Sequence, residues 1–123
     1  MSRDQTYVMD ILEAARRVQE GTGSVTREQF IDDWMRRSAI VWQIEIMGEA
    51  TKRLSDEYRE QYPEIPWRAM AGMREVVIHG YDIVDLKEVW RVATIEAPKL
   101  IFALETIIQP DDEADSNQSE EQK

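Results

Sequence analysis

One run of ten residues concentrates the side chains able to do chemistry: Met73-Arg74-Glu75-Val76-Val77-Ile78-His79-Gly80-Tyr81-Asp82. His79 is the only histidine of the chain; an arginine stands five residues before it and a tyrosine two residues after. A histidine titrates near neutrality and passes a proton in either direction. An arginine binds phosphate oxygens through a fixed fork of donors and stabilises charge as it develops. A phenol hydroxyl forms hydrogen bonds or accepts a modification. Together they suit a ligand that carries phosphate. The same residues also read as a surface ion pair beside a packed or capping histidine, and spacing alone does not choose between the two.

The elements around the run must hold these groups. If the segment before His79 is helical, Val76, Val77 and Ile78 carry the helix to its end. Gly80 is then a natural C′ stop, since glycine enters the left-handed region without steric cost. Arg74 and His79 would lie about 140° apart on a continued helix, so a fraying last turn would be needed to bring both to one anion. Upstream, Tyr62-Pro63-Glu64-Ile65-Pro66 forces extended backbone before each proline, and Pro66 suits the first position of the helix that follows. Trp67, Met70 and Arg74 share one face of it, with Met73 and Val77 adjacent, so Arg74 leaves from the edge of an apolar stripe.

The remaining chain reads as helices. Ser2 and Asp4 are candidate N-caps for a first helix from Asp4 to Glu20, with Tyr7, Val8, Ile11, Leu12, Ala15 and Val18 as its apolar stripe. Gly21-Thr22-Gly23-Ser24 breaks it. Thr26-Arg27-Glu28-Gln29 reads as a capping box for a second helix that runs unbroken to about Ser55. Phe30, Trp34, Val41, Ile44, Met47 or Gly48, Thr51 and Leu54 trace its core face. Ile40, Trp42 and Ile46 make its middle apolar nearly all round, which calls for cover on every side, from bundle neighbours or from a second subunit. Gly48 suits the close approach of another backbone. Asp56 to Gln61 is a short helical turn. Asp85-Leu86-Lys87-Glu88 has capping-box spacing for a last helix along Leu86, Val89, Trp90, Ala93, Ala97, Leu100, Ile101, Leu104 and Ile108. Pro98 should kink or split that helix near Ile95 to Glu96. No strand pattern competes.

The expectation is therefore all-α: an antiparallel four- or five-helix bundle over residues 1–108, then an acidic disordered tail over 109–123. At 123 residues the chain supports one modest core. It has no cysteine, so no disulfide frame and no thiolate metal site, and a lone histidine argues against zinc. No signal-peptide core and no run near ~18 apolar residues is found, so no membrane helix is expected, and the lack of cysteine suits a reducing cytoplasm. Net charge is −10, half of it from Asp111, Asp112, Glu113, Asp115, Glu120 and Glu121 against Lys123. That is not the surface of a protein that holds nucleic acid by bulk charge. It leaves room for a local basic cleft, to which Arg36, Arg37 and Arg53 are candidate contributors. Asp10, Glu45 and Glu49 read as solvated or ion-paired, Asp82 as a turn or cap residue. Trp34, Trp42, Trp67 and Trp90 read as core or dimer contacts rather than base-stacking platforms.

The run Arg74-x4-His79-x-Tyr81, followed by Asp85-Leu86 and Val89-Trp90, resembles the R-x4-H-x-Y signature of HepT-like toxins in the HEPN superfamily of small all-α ribonucleases. Ile46-Met47-Gly48-Glu49-Ala50-Thr51-Lys52-Arg53-Leu54 resembles that family's I-x-G-E-A-x-x-R-L segment, and Tyr62 to Trp67 its P-E-I-P-W link. The resemblance extends from about Tyr7 to Ile108. It implies an endoribonuclease toxin with a metal-independent composite site in a homodimer, RNA as substrate, Arg74 as phosphate clamp and His79 as proton-transfer group. It also implies a partner, a minimal nucleotidyltransferase (MNT) antitoxin that silences the toxin by transferring AMP to Tyr81. No cofactor is expected. The competing readings are a HEPN-type bundle that binds nucleotide or a partner protein and cleaves nothing, which the acidic charge suits, and a chain that serves only as target of the modification. From composition alone, deletion of Asp111 to Lys123 should leave the circular dichroism of the helices and the melting temperature nearly unchanged; a large drop would mean the tail packs.

Overall fold

Short polar side chains start five of the described helices, as the computed structural model shows; it describes residues 1–80 and 83–108. Helix α1 (Arg3–Gly23) opens on Ser2: its hydroxyl accepts the Gln5 amide N–H, and the Gln5 side chain accepts the Ser2 N–H in return. Thr26 and Gln29 repeat that capping box at α2 (Arg27–Asp32). Asp33 caps α3 (Trp34–Lys52), and Ser55 caps α4 (Asp56–Gln61). Each such cap satisfies amide donors the helix itself leaves open. Two short helices follow, α5 (Trp67–Ala71) and α6 (Met73–Val77). Asp85 caps α7 (Leu86–Arg91), although Glu88 turns its carboxylate to Arg91 and leaves that capping box half formed. Helix α8 (Ala97–Ile107) ends the described chain, and the acidic tail expected from residue 109 lies outside the described residues.

The architecture is the all-α bundle expected. Helix α1 packs against α3 on one side and α8 on the other, burying Val8, Ile11, Leu12, Ala15 and Val18. These are the residues its period marked out. Each fully buried valine, leucine or isoleucine among them contributes about 1.5–3 kcal/mol against chain entropy. Ile44, Met47, Met70, Val77, Val89 and Leu104 complete a continuous core. Phe30 and Trp90 meet in it with ring centroids 5.3 Å apart. Trp67 is buried as well, its indole N–H donating to the Tyr62 carbonyl at 3.0 Å.

Several sequence expectations are corrected. The second helix is not continuous: it breaks at Asp33, which sits at φ −106 and ψ 90. The Asp33 carboxylate accepts the Arg36 amide N–H, which holds its pKa below the ordinary value, and it also takes the Arg36 guanidinium. A side chain that bonds its own backbone in this way favours a cap over a helix interior. The break puts α2 and α3 out of phase, so Phe30 is buried while Trp34, expected on the same core face, is 64% exposed. Ile40 needs no second subunit, because it packs over Gly21 of α1 and is buried within the chain. Of the apolar belt, only Trp42 stays largely exposed, at 61%.

The motif helix also divides, at Gly72, and it ends at Val77. Ile78–His79 (β1) and Ile83–Val84 (β2) form a small antiparallel pair in register Ile78 with Val84 and His79 with Ile83, where no strand was expected. The β-branched run Val76-Val77-Ile78 favours that extended exit. Near Pro98 the expected disturbance is a π-helical segment (Val92–Glu96), in which the Ala97 N–H reaches back five residues to the Val92 carbonyl. The proline lacks the N–H that a regular ladder needs, and the widened turn absorbs the loss.

One long-range contact fastens the start of the bundle. The Asp4 carboxylate accepts the Ser55 amide N–H at 2.8 Å and the Ser55 hydroxyl at 2.7 Å. Asp4→Ala should therefore lower stability by about 1–3 kcal/mol, the range for hydrogen bonds to a charged group that is partly buried. Asp4→Asn should recover part of that. Urea melts of the three proteins check it, and equal midpoints would show the staple to be idle.

Candidate active site

Arg74 and His79 leave the chain at opposite ends of the short α6–β1 stretch. Met73 and Val77, both buried, press α6 onto the core, while α5 is fixed beside it by Trp67 and Met70. A methyl on Gly48 of α3 would stand in ordinary van der Waals contact, 3.5 Å from the carbonyl oxygens of Met70 and Ala71. Gly48 therefore does lie against another backbone, that of its own chain. With α6 anchored, the Arg74 guanidinium extends towards α3, and its Nε lies 3.3 Å from Glu45 Oε1. The two side chains are 40% and 28% exposed. A pair as open as this is screened by water and contributes little to stability.

His79 lies in β1, its side chain 54% exposed. Its Nε2 is 3.3 Å from the Val76 carbonyl and 3.7 Å from Asp85 Oδ2. Gly80 follows at φ +73, the left-handed backbone expected of it, but as the start of a strand reversal rather than a helix stop. A residue with a Cβ is strained there. Among the described residues, no hydrogen bond or ion pair joins Arg74 to His79; each faces its own carboxylate. The fraying turn expected to bring them together is replaced by the exit into β1. Tyr81 and Asp82 lie outside the described residues.

A cleft of about 410 Å³ opens between α3 and the β2–α7 junction, lined by Arg37, Ser38, Val41, Trp42, Glu45, Val84 and Leu86. It shares Glu45 with the Arg74 pair, and Val84 and Leu86 flank Asp85 in sequence. The cleft thus reaches the partner of the arginine, Glu45, and the residues on either side of Asp85. Of the arginines proposed to feed it, Arg37 lines it. Arg36 turns away, donating to the Gly21 carbonyl at 2.7 Å, and lines a second cavity of about 530 Å³ with Arg17 and Gln43. Beyond Glu45, α3 continues with Glu49 and Lys52, and Lys52 reaches both Glu49 and Glu75. Among the described residues, no group of three or more His, Asp or Glu side chains is placed to hold a metal ion.

Glu45 and Asp85 are the site residues that sequence reasoning undervalued. Glu45 was read as solvated or ion-paired, and the structure shows it paired with Arg74. Asp85 was read correctly as a cap, without its second oxygen. Spacing in the chain holds no signal for either contact, because each spans a chain reversal.

Comparison with known proteins now bears on what this arrangement is. The family model described as "Ribonuclease HepT-like" matches residues 11–107. Among curated proteins, the chain is 33% identical to "Putative RNase MJ1380" of Methanocaldococcus jannaschii over 84% of this chain and 94% of that one. It is 37% identical to "Probable ribonuclease HepT" of Thermococcus cleftensis, over 76% of this chain and 86% of the relative. With "Putative RNase TTE0752" of Caldanaerobacter subterraneus subsp. tengcongensis it shares 33% identity, over 89% and 97% respectively. No solved structure matches significantly.

The left-handed glycine carries its own prediction. Gly80→Ala should destabilise the reversal that holds His79 by about 1–2 kcal/mol, and Gly80→Asn by less, since asparagine tolerates this backbone. Thermal melts read the difference; an alanine variant as stable as the parent would mean the turn rearranges freely.

Proposed function

Because the chain belongs to the HepT-like ribonuclease family, we propose that it is a metal-independent endoribonuclease, the toxin of a HEPN/MNT toxin–antitoxin pair, acting on RNA in the cytoplasm as a homodimer. The observation that carries this reading is the pair Arg74 and His79, both half exposed, at the two ends of one short segment beside an open cleft.

The reaction is an in-line transfer at phosphorus. A neutral His79 takes the proton of a ribose 2′-hydroxyl as that oxygen attacks the adjacent phosphate. The new P–O2′ bond forms, the P–O5′ bond breaks, and the leaving 5′-oxygen collects a proton. One chain holds one histidine, so the acid is His79 of the partner subunit. Arg74 from each chain neutralises the developing phosphorane charge. The products are a 2′,3′-cyclic phosphate and a 5′-hydroxyl. A second copy also suits the exposed apolar side chains Trp34, Met35 and Trp42 of α3 and Ile83 beside His79. Tyr81 is the acceptor for AMP from the MNT antitoxin. Added there, two residues after His79 in the chain, AMP brings bulk and negative charge and keeps RNA phosphate out.

The second reading, a bundle that binds nucleotide or a partner protein without cleavage, is favoured by one observation: Glu45 already neutralises Arg74. The same experiment separates the two. The dimer should scatter light as twice the 14.4 kDa chain and cut RNA in EDTA to cyclic-phosphate ends. His79→Ala should lower the rate on the order of 10²–10⁴-fold without loss of fold. Arg74→Ala should act likewise, and Arg74→Lys should rescue only in part, because a point charge does not reproduce the fork. Tyr81→Phe should still cut RNA yet gain no AMP by intact mass after incubation with the nucleotidyltransferase and ATP. Variants that all cleave like the parent would hand the case to the binding module.

A further inference from the structure

Within that reaction, we infer that His79 meets the substrate through Nδ1, and that Asp85 is the positioning residue that fixes its ring. The Val76 carbonyl, 3.3 Å from Nε2, can only accept a hydrogen bond, so the ring presents an N–H there. Asp85 Oδ2 stands 3.7 Å from the same nitrogen. A neutral imidazole has one N–H, so the bare lone pair is on Nδ1. Among the described residues Nδ1 has no hydrogen-bond partner.

Asp85 is well held for this task. Its amide N–H donates to the Val77 carbonyl at 2.7 Å, and its Oδ1 accepts the Glu88 amide N–H at 3.2 Å. Backbone and one oxygen are thus committed, and the other oxygen is left to the histidine. Of the charged residues on the elements around β1, Arg74 and Glu75 of α6 are paired with Glu45 and Lys52 of α3. On α7, Glu88 is paired with Arg91, and Lys87 follows the cap. Among the described residues, Asp85 is the charged group brought to the imidazole. When Nδ1 takes the 2′-hydroxyl proton, the ring becomes an imidazolium whose Nε2–H still faces Val76 and the Asp85 carboxylate. The charge then appears where an anion waits. In the partner subunit's copy, the protonated ring donates from the same Nδ1 to the leaving 5′-oxygen. A carboxylate that orients and charge-balances a catalytic imidazole has this role in other hydrolytic sites.

The lone histidine makes the test direct. Bromoacetate, applied to the folded chain without RNA, alkylates the nitrogen that carries the free lone pair. An unhindered histidine reacts mostly at Nε2, which is farther from its backbone. Here hydrolysis should yield mainly the Nδ1-carboxymethyl isomer, and the urea-unfolded chain mainly the Nε2 isomer. A folded chain that gives the unfolded ratio overturns the ring assignment. Asp85→Ser keeps an N-cap oxygen but is too short to reach the ring. It should move the isomer ratio towards the unfolded one and lower kcat on the order of 10-fold or more, with KM changed by less than about twofold. Parent selectivity in that variant overturns the positioning role. Should the serine variant melt early, Asp85→Asn carries the test: it keeps cap and acceptor without charge, and parent kcat in it would sink the charge-balancing role. A parent protein that shows the Nδ1 pattern but cuts no RNA refutes the reaction and leaves the ring assignment standing.

Discussion

The hydrogen bond from the Asp85 amide to the Val77 carbonyl, at 2.7 Å, closes the reversal on which the site depends. It fixes the distance between the end of α6 and the start of α7. Beside that bond Gly80 takes its left-handed turn, His79 Nε2 lies 3.3 Å from the Val76 carbonyl, and Asp85 stands near the ring while it starts α7. One short stretch of backbone therefore sets the histidine, the carboxylate beside it and the direction of the next helix. Its own stability is borrowed. Two-residue strands do not persist alone in water, and β1 and β2 stand because Val77, Ile78 and Val89 are packed into the bundle.

The arginine is held by another route. Helix α5 packs on α3 beside Gly48, Met73 and Val77 seat α6, and the guanidinium reaches a glutamate on α3. Arg74 and His79 thus rest on different neighbours although they are close in sequence. This division has a consequence for binding. An entering phosphate competes with Glu45 for Arg74, in a chain whose overall charge already opposes nucleic acid. Affinity for a phosphate-bearing ligand would therefore gain from more than one arginine at once.

What the sequence by itself determined was local: the caps at Ser2, Thr26 and Asp85, the stripe along α1, the disturbance at Pro98 and the left-handed Gly80. Each is set by hydrogen bonds or sterics within a few residues, and so each is legible in the chain. The family was legible too, in the motif segments the chain shares with it. Tertiary structure decided the rest. The same kind of side chain, an aspartate before a helix, continues nothing at Asp33 and so turns Trp34 outward. Ile40 and Trp42, near neighbours on one helix, part company because only Ile40 faces α1. Glu45 meets Arg74, and Asp85 meets His79, only after the chain has folded back on itself. Those pairings depend on the relative placement of whole helices, which comes from burial summed over the core, and no short window of sequence contains that sum.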